Sequence, residues 1–140
     1  MTSARYDTTG LSENQYEPGS DGSVLKNLLG IKTQAEMEIV ETTELLRTSE
    51  QLLEEVTEDQ VFTVQDVCAM HRLWFGSLYP WAGQYRQVNI SKSGFTFAMA
   101  HTIAELMAVF EREQLRCFTP CQFSSRSEIA HALAKVHVEN

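Results

Sequence analysis

The chain has 140 residues, about one domain, and 43% of them are hydrophobic, which excludes a wholly disordered protein. Its net charge of −8 argues against a nucleic-acid partner, because such binding needs a basic face. No apolar run reaches the ~18 residues that a membrane span needs, the N-terminus lacks the apolar core of a secretory signal, and three cysteines make no disulfide framework. We therefore expect a cytoplasmic protein with reduced thiols and no membrane partner.

The chain opens with a polar, turn-rich stretch. We interpret residues 1–22 as an N-terminal tail or a loop packed on the domain, and residues 23–140 as the domain. Residues 24–29 are predicted to form a short helix that ends at Gly30.

A long amphipathic helix is predicted over residues 33–55. Thr33 and Glu36 have the spacing of a capping box, and apolar residues recur at intervals of seven, at Ile39, Leu46 and Leu53. The opposite side is acidic, at Glu38, Glu41, Glu44 and Glu55. We interpret this acidic side as a solvated face, with a basic partner as the alternative.

A second helix follows, for which either Thr57 or Thr63 could be the N-cap. Thr63 and Asp66 have capping-box spacing and predict a helix from residue 64 to about 76. His71 lies on its apolar side, and we interpret it as a core histidine rather than a ligand. Residues 79–83 predict a tight aromatic corner.

The rest of the chain predicts a β-hairpin and two more helices. Two stretches of alternating pattern within residues 88–97 flank Ser93-Gly94, which is a hairpin signal. Capping boxes begin at Thr102 and at Ser125, and predict helices over residues 101–115 and 125–140. A loop over residues 117–124 joins them, and its cysteines (Cys117, Cys121) are interpreted as structural thiols rather than metal ligands.

Three stretches resemble the Fic-domain family. MHRLWFGSLYPWAGQYR at residues 70–86 resembles the approach to that family's flap, and VNISKSGFTFA at residues 88–98 resembles the flap itself. IAHALAKVHVE at residues 129–139 resembles the helix before the signature loop. With short pieces within residues 16–27 that resemble the opening of bacterial Fic toxins, the resemblance covers residues 16–140.

The resemblance implies a mainly α fold, a Fic-type helical bundle with one short β-hairpin, the flap, at about residues 87–98. It also implies an enzyme that transfers AMP from ATP, with Mg²⁺ on the phosphates, to a hydroxyl side chain of a target protein. It further implies a toxin-like protein that is inhibited either in trans by a small antitoxin or by a C-terminal helix that this sequence does not contain. In the family's signature, HPFxxGNGR, the histidine is the general base and the backbone amides bind the phosphates.

This sequence contains neither HPF nor GNGR. By spacing, the signature histidine would follow Asn140, so its role is not carried to His137. We therefore expect a Fic domain truncated at its C-terminal end, with no catalytic residue, no metal ligand and no activity alone. Two alternatives are a non-enzymatic helical module that binds an extended peptide, and a fragment that needs a second chain to supply the signature.

The flap is the functional element that the sequence contains whole. In the family it pairs with an extended target segment by strand addition. The resemblance therefore assigns target binding to a run of eight residues: Ile90, Ser91, Lys92, Ser93, Gly94, Phe95, Thr96 and Phe97. Lys92 and Phe95 are the expected side-chain contacts, and the alternative is a hairpin whose phenylalanines only cover the core. The inhibitory pattern known in the family is matched only formally, at Thr9–Asn14 with Glu13.

Overall fold

The fold is mainly helical. A computed structural model describes residues 15–92 and 94–139, so the pattern around Glu13 lies outside the described residues. The helices are α1 (Gln34–Glu55), α2 (Val64–Phe75), α3 (Ile103–Phe110), α4 (Arg116–Phe118) and α5 (Arg126–Glu139). Two short strands, β1 (Ser91–Lys92) and β2 (Phe95–Thr96), form an antiparallel hairpin between α2 and α3. The predicted fold class, helices with one short hairpin, is confirmed.

The helix predicted over residues 24–29 is wrong, because these residues form turns and an isolated bridge. The side chain of Asn27 explains the difference. Its Oδ1 accepts hydrogen bonds from the backbone N–H of Leu29 at 3.2 Å and of Ile31 at 2.9 Å. Its Nδ2 donates to the Ile31 carbonyl at 2.9 Å. An asparagine that satisfies the backbone locally competes with a helix.

Residues 15–31 are held by backbone hydrogen bonds within the segment and to the turn after α2, and by apolar contacts. The N–H of Glu17 donates to the Val24 carbonyl at 2.8 Å, and that of Leu28 donates to the Leu78 carbonyl at 2.7 Å. The central cluster of buried residues joins this segment to α1 and to the turn after α2, and consists of Val24, Ile31, Met37, Leu78 and Tyr79.

α1 begins as predicted, since Thr33 Oγ1 accepts a hydrogen bond from the N–H of Glu36. The interpretation of its acidic side as a solvated face is wrong at Glu41. The Glu41 carbonyl accepts from Trp74 Nε1 at 3.0 Å, and its carboxylate accepts from the Tyr79 hydroxyl at 3.2 Å. Burial, and then the Glu41 carboxylate, raise the pKa of Tyr79. The apolar residues that recur at intervals of seven, Ile39, Leu46 and Leu53, lie on the exposed side of α1.

α2 has the predicted capping box, in which the side chains of Thr63 and Asp66 each bond the other's backbone N–H. Of the two candidate N-caps, Thr63 therefore begins the helix. Thr57 lies in the preceding loop, where its hydroxyl donates to the Asp59 carboxylate at 2.6 Å. The C-cap of α2 is Gly76, as predicted.

The capping box predicted at Thr102 is not formed, because the Thr102 hydroxyl donates to the Met99 carbonyl at 2.7 Å. A 3₁₀ turn at Ala100–Thr102 precedes α3 instead. α3 then continues through a π turn at Glu111–Leu115 into α4, so the helical segment ends at Phe118 and not at residue 115. At the start of this π turn, Glu111 Oε1 accepts from the Val64 N–H at 2.8 Å and joins the turn to the first residue of α2.

α5 begins at the predicted cap, where Ser125 Oγ accepts from the Glu128 N–H at 3.2 Å. Across the described residues, we find no helix with the length and apolar character needed to cross a membrane.

Candidate functional site

The hairpin is short and has a two-residue turn. Ser91 pairs with Thr96, and Lys92 pairs with Phe95. The turn contains Gly94, whose φ of +81° is the left-handed region that glycine adopts most readily. The predicted site residue Ser93 and the side chain of Lys92 lie outside the described part of the chain.

The backbone pattern leaves hydrogen-bonding groups on both outer edges of the hairpin. The Phe97 N–H donates to the Ile90 carbonyl at 3.0 Å, which makes these two residues a hydrogen-bonded pair. Such pairs alternate with non-hydrogen-bonded pairs in an antiparallel ladder. The N–H and carbonyl groups of Ser91 and Thr96 therefore point outward, where an extended chain can pair with them.

One face of the hairpin is apolar and exposed. Phe95 is 63% exposed and Phe97 is 43% exposed. Their rings contact each other edge to face, with centroids 5.1 Å apart. The interpretation that these rings only cover the core does not fit this exposure. Ile90 and Ser91, by contrast, are half-buried.

The base of the hairpin is held by Arg86 and Asn89. Arg86 Nη1 donates to the Val88 carbonyl at 2.7 Å, and Nη2 donates to the Ala98 carbonyl, so one guanidinium joins the segments before and after the hairpin. Asn89 Oδ1 accepts from the Ala100 N–H at 2.8 Å and ties the same base to the start of the next helix. Val88 beside them is 1% exposed. The hairpin is therefore a projecting element on a fixed base.

An apolar groove of about 410 Å³ lies between this base and α3. Arg86 and Ala98 line it on the hairpin side. The helical side contributes Ile103, Leu106, Met107, Val109, Phe110, Glu113 and Gln114. The Oε1 atom of Gln114 is buried and, among the described residues, accepts no hydrogen bond.

The aromatic corner before the hairpin is held against α2. His71 Nδ1 accepts a hydrogen bond from the Gly83 N–H at 2.8 Å, as expected for a histidine with a structural role. Burial lowers the pKa of His71, so the neutral ring that accepts this bond is favoured. The rings of Tyr79 and Trp81 stack with centroids 4.5 Å apart.

Within residues 15–92 and 94–139, no group of three or more His, Cys, Asp or Glu side chains could hold a metal ion. The sequence also lacks the glycine-rich signature loop that the resemblance associates with phosphate binding. What the arrangement offers chemically is a hairpin edge with which no described strand pairs, two exposed aromatic rings and an adjacent apolar groove.

Sequence reasoning located the hairpin but missed the residues that hold it. Arg86 and Asn89 lie in the stretches that carry the resemblance, yet no spacing rule links Arg86 to the carbonyls two and twelve residues after it. The sequence did not predict the groove either, because the groove depends on the angle between the hairpin and α3, which no local sequence pattern determines.

The chain is similar to known proteins both in sequence and in fold. Residues 61–139 match the Fic/DOC family model. The chain is 33% identical over 123 residues to the protein adenylyltransferase VbhT of Bartonella schoenbuchensis, and this match covers 82% of the chain and 25% of VbhT.

Two crystal structures of Bartonella effector proteins have a similar fold. The N-terminal Fic domain of Bep8 from Bartonella sp. 1-1C matches with a TM-score of 0.71 and 21% identity, over 83% of this chain and 59% of that one. The N-terminal Fic domain of an effector from Bartonella sp. AR 15-3 matches with a TM-score of 0.73 and 20% identity, over 95% and 64%. The chain therefore spans less than two thirds of the length of each of these three relatives.

Proposed function

This chain belongs to the Fic/DOC family, and from that membership we propose that it is the target-holding part of an enzyme that transfers AMP from ATP to a protein. In this reaction a hydroxyl oxygen of the target attacks the α-phosphorus, a phosphodiester bond forms, and pyrophosphate leaves. The family relative VbhT carries the name of this activity.

The observation that carries the proposal is the outer edge of the hairpin, with which no strand of the described residues pairs. The outward backbone groups of Ser91 and Thr96 can each accept an added strand, and Phe95 beside them is 63% exposed. Main-chain pairing fixes the register of an extended target segment whatever its side chains are. Such register control is what a transfer reaction needs, because it sets one hydroxyl at one distance from the nucleotide.

We assign no catalytic residue to residues 1–140, because they do not contain the signature motif. ATP and Mg²⁺ are proposed as ligands of the complete protein only. The chain of 140 residues is proposed to be inactive by itself.

The activity is tested with ATP labelled at the α-phosphate. The protein encoded by the complete reading frame should transfer label to a second protein, whereas residues 1–140 alone should not. ATP labelled at the γ-phosphate is the control, since AMP transfer leaves that phosphate in pyrophosphate. Label from γ-labelled ATP, or label transferred by residues 1–140 alone, would contradict the proposal.

The role of the hairpin is tested by proline substitutions in the complete protein. Ser91→Pro and Thr96→Pro each remove one outward N–H, on opposite edges of the hairpin. The substitution that lies on the edge with which the target pairs should reduce labelling at least tenfold. Ser91→Ala and Thr96→Ala keep the backbone N–H and are the matched controls. If both prolines leave labelling unchanged, target pairing on this hairpin is wrong.

A non-enzymatic module that binds an extended peptide is the second candidate. The absence of the signature motif from this sequence favours it, because the hairpin edge alone can bind a peptide. It predicts that the complete protein binds its partner equally well with and without ATP and transfers no label.

A further inference from the structure

α1 carries an apolar stripe that the described part of the fold leaves exposed. Ile39, Leu46 and Leu53 are 68%, 62% and 83% exposed. Seven residues advance an α-helix by about 20° less than two full turns, so these three side chains lie almost in line along the helix. Exposed aliphatic residues are ordinary when single, but three in line on one helix indicate a contact surface.

The stripe lies on the side of α1 that faces away from the core. Met37 and Thr48, both 3% exposed, mark the packed side, about half a turn away. Glu41 and Arg47 fasten that packed side to α2, since the Glu41 carbonyl accepts from Trp74 and Arg47 donates to the Leu73 carbonyl at 2.8 Å. These contacts fix the rotation of α1, so the helix cannot turn the stripe inward without breaking them.

The two borders of the stripe differ in size and charge. One border carries small residues at intervals of seven, Ala35, Thr42 and Ser49, and all three are exposed. The other border carries exposed glutamates, at Glu36, Glu50 and Glu54. Small residues on one side let a second helix approach closely, and the glutamates on the other side select its charge.

We propose that the stripe of α1 binds an amphipathic helix whose leucine-rich seam is flanked by lysine or arginine. Spacing at intervals of seven is the pattern by which two helices pack along their length. α1 contains seven glutamates and one arginine, so a second copy of this chain would place like charges opposite each other. A basic helix gains both apolar burial and charge pairing. This surface is separate from the hairpin, and the proposal does not depend on AMP transfer.

The test uses two synthetic helical peptides that share a leucine seam and differ only in their flanking residues, which are lysines in one and glutamates in the other. Binding of each labelled peptide to the full chain is measured by fluorescence anisotropy. The lysine peptide should bind at least tenfold more tightly than the glutamate peptide, and added salt should reduce the difference.

Substitutions then locate the binding surface. Leu46→Gln should weaken binding of the lysine peptide about tenfold, as expected when burial of one leucine is lost. Leu133→Gln on α5 is the matched control, because Leu133 is 59% exposed and lies outside the stripe. It should leave binding unchanged.

Three results would overturn the proposal. The first is equal affinity for the two peptides, or an equal effect of Leu46→Gln and Leu133→Gln. The second is self-association of the full chain in sedimentation velocity that Leu46→Gln abolishes, because the occupant would then be a second copy. The third is a fall in thermal stability with Leu46→Gln much larger than with Leu133→Gln, because the stripe would then be covered within the chain.

Discussion

Gly83 shows at the level of single residues how closely the aromatic corner approaches α2. Its φ is +78°, and its N–H donates to His71. A β-carbon at this position would lie 2.8 Å from the Arg72 β-carbon and 2.9 Å from the Cys68 carbonyl oxygen. Glycine is therefore required here both by the backbone conformation and by the lack of space.

Gly83→Ala should lower the free energy of unfolding by about 3 kcal/mol, from backbone strain together with overpacking. Gly94→Ala is the control, because it has a similar φ of +81° but nothing within 4 Å of the added carbon. It should cost only the backbone strain, about 1–2 kcal/mol. Urea unfolding of both variants measures the difference, and equal losses would contradict the packing at Gly83.

His71 predicts a dependence of stability on pH. Burial lowers its pKa in the folded state below the ordinary value of 6.5. Above pH 6.5 both states are neutral at this residue and the full stability is present. As the pH falls below 6.5, His71 binds a proton in the unfolded chain but stays neutral in the folded chain, so the free energy of unfolding decreases.

The free energy of unfolding should therefore fall more between pH 7.5 and 5.5 in the wild-type chain than in His71→Asn, which cannot titrate at this position. Urea unfolding at several pH values measures both slopes. Parallel slopes would show that His71 titrates alike in the two states.

Among the elements, the hairpin depends on its base. The turn that closes it is only two residues long, and such a hairpin is marginal in water by itself. Arg86 joins the Val88 and Ala98 carbonyls, and Asn89 joins the Ala100 N–H. We infer that these contacts, more than the four paired strand residues, keep the hairpin ordered.

Arg86→Met keeps most of the apolar stem and removes both hydrogen bonds. Amide exchange at Phe97, which donates to Ile90 across the hairpin, should become at least tenfold faster, since bonds from a charged donor contribute about 1.5–3 kcal/mol. Exchange within α5 is the internal control and should not change. Unchanged exchange at Phe97 would mean that the strand pairing suffices.

The sequence predicted elements well where a local signal decides them. The cap at Thr63 and the turn at Gly94 are local, and both were predicted. The failures have nonlocal or competing causes. At Asn27 a side chain satisfies the backbone that a helix would use, and at Thr102 the hydroxyl bonds to Met99 instead of to the helix. On α1, periodicity identified the stripe but not its exposure, because the hydrogen bonds that Glu41 accepts from Trp74 on α2 and from Tyr79 decide which side packs.

On the scale of the whole molecule, the described helices leave apolar surface on two grooves. The first lies between the hairpin base and α3, where Leu106 is 51% exposed. The second, of about 350 Å³, lies between α2 and α5, where Leu133 is 59% exposed. Exposed apolar grooves of this size bind apolar dyes and promote association.

The chain of 140 residues should therefore increase the fluorescence of the dye ANS at neutral pH. Leu106→Gln and Leu133→Gln should each reduce this fluorescence without changing helical circular dichroism, because both side chains are exposed. Absence of dye binding by the wild-type chain would contradict the open grooves.

The proposed pairing of an extended target with one edge of the hairpin is tested by amide hydrogen exchange at Ser91 and Thr96 in the complete protein, with and without the protein that it labels. Exchange at one of these two amides should be at least tenfold slower when the target is bound. Target binding that leaves both amides exchanging at their free rate would contradict the proposed pairing.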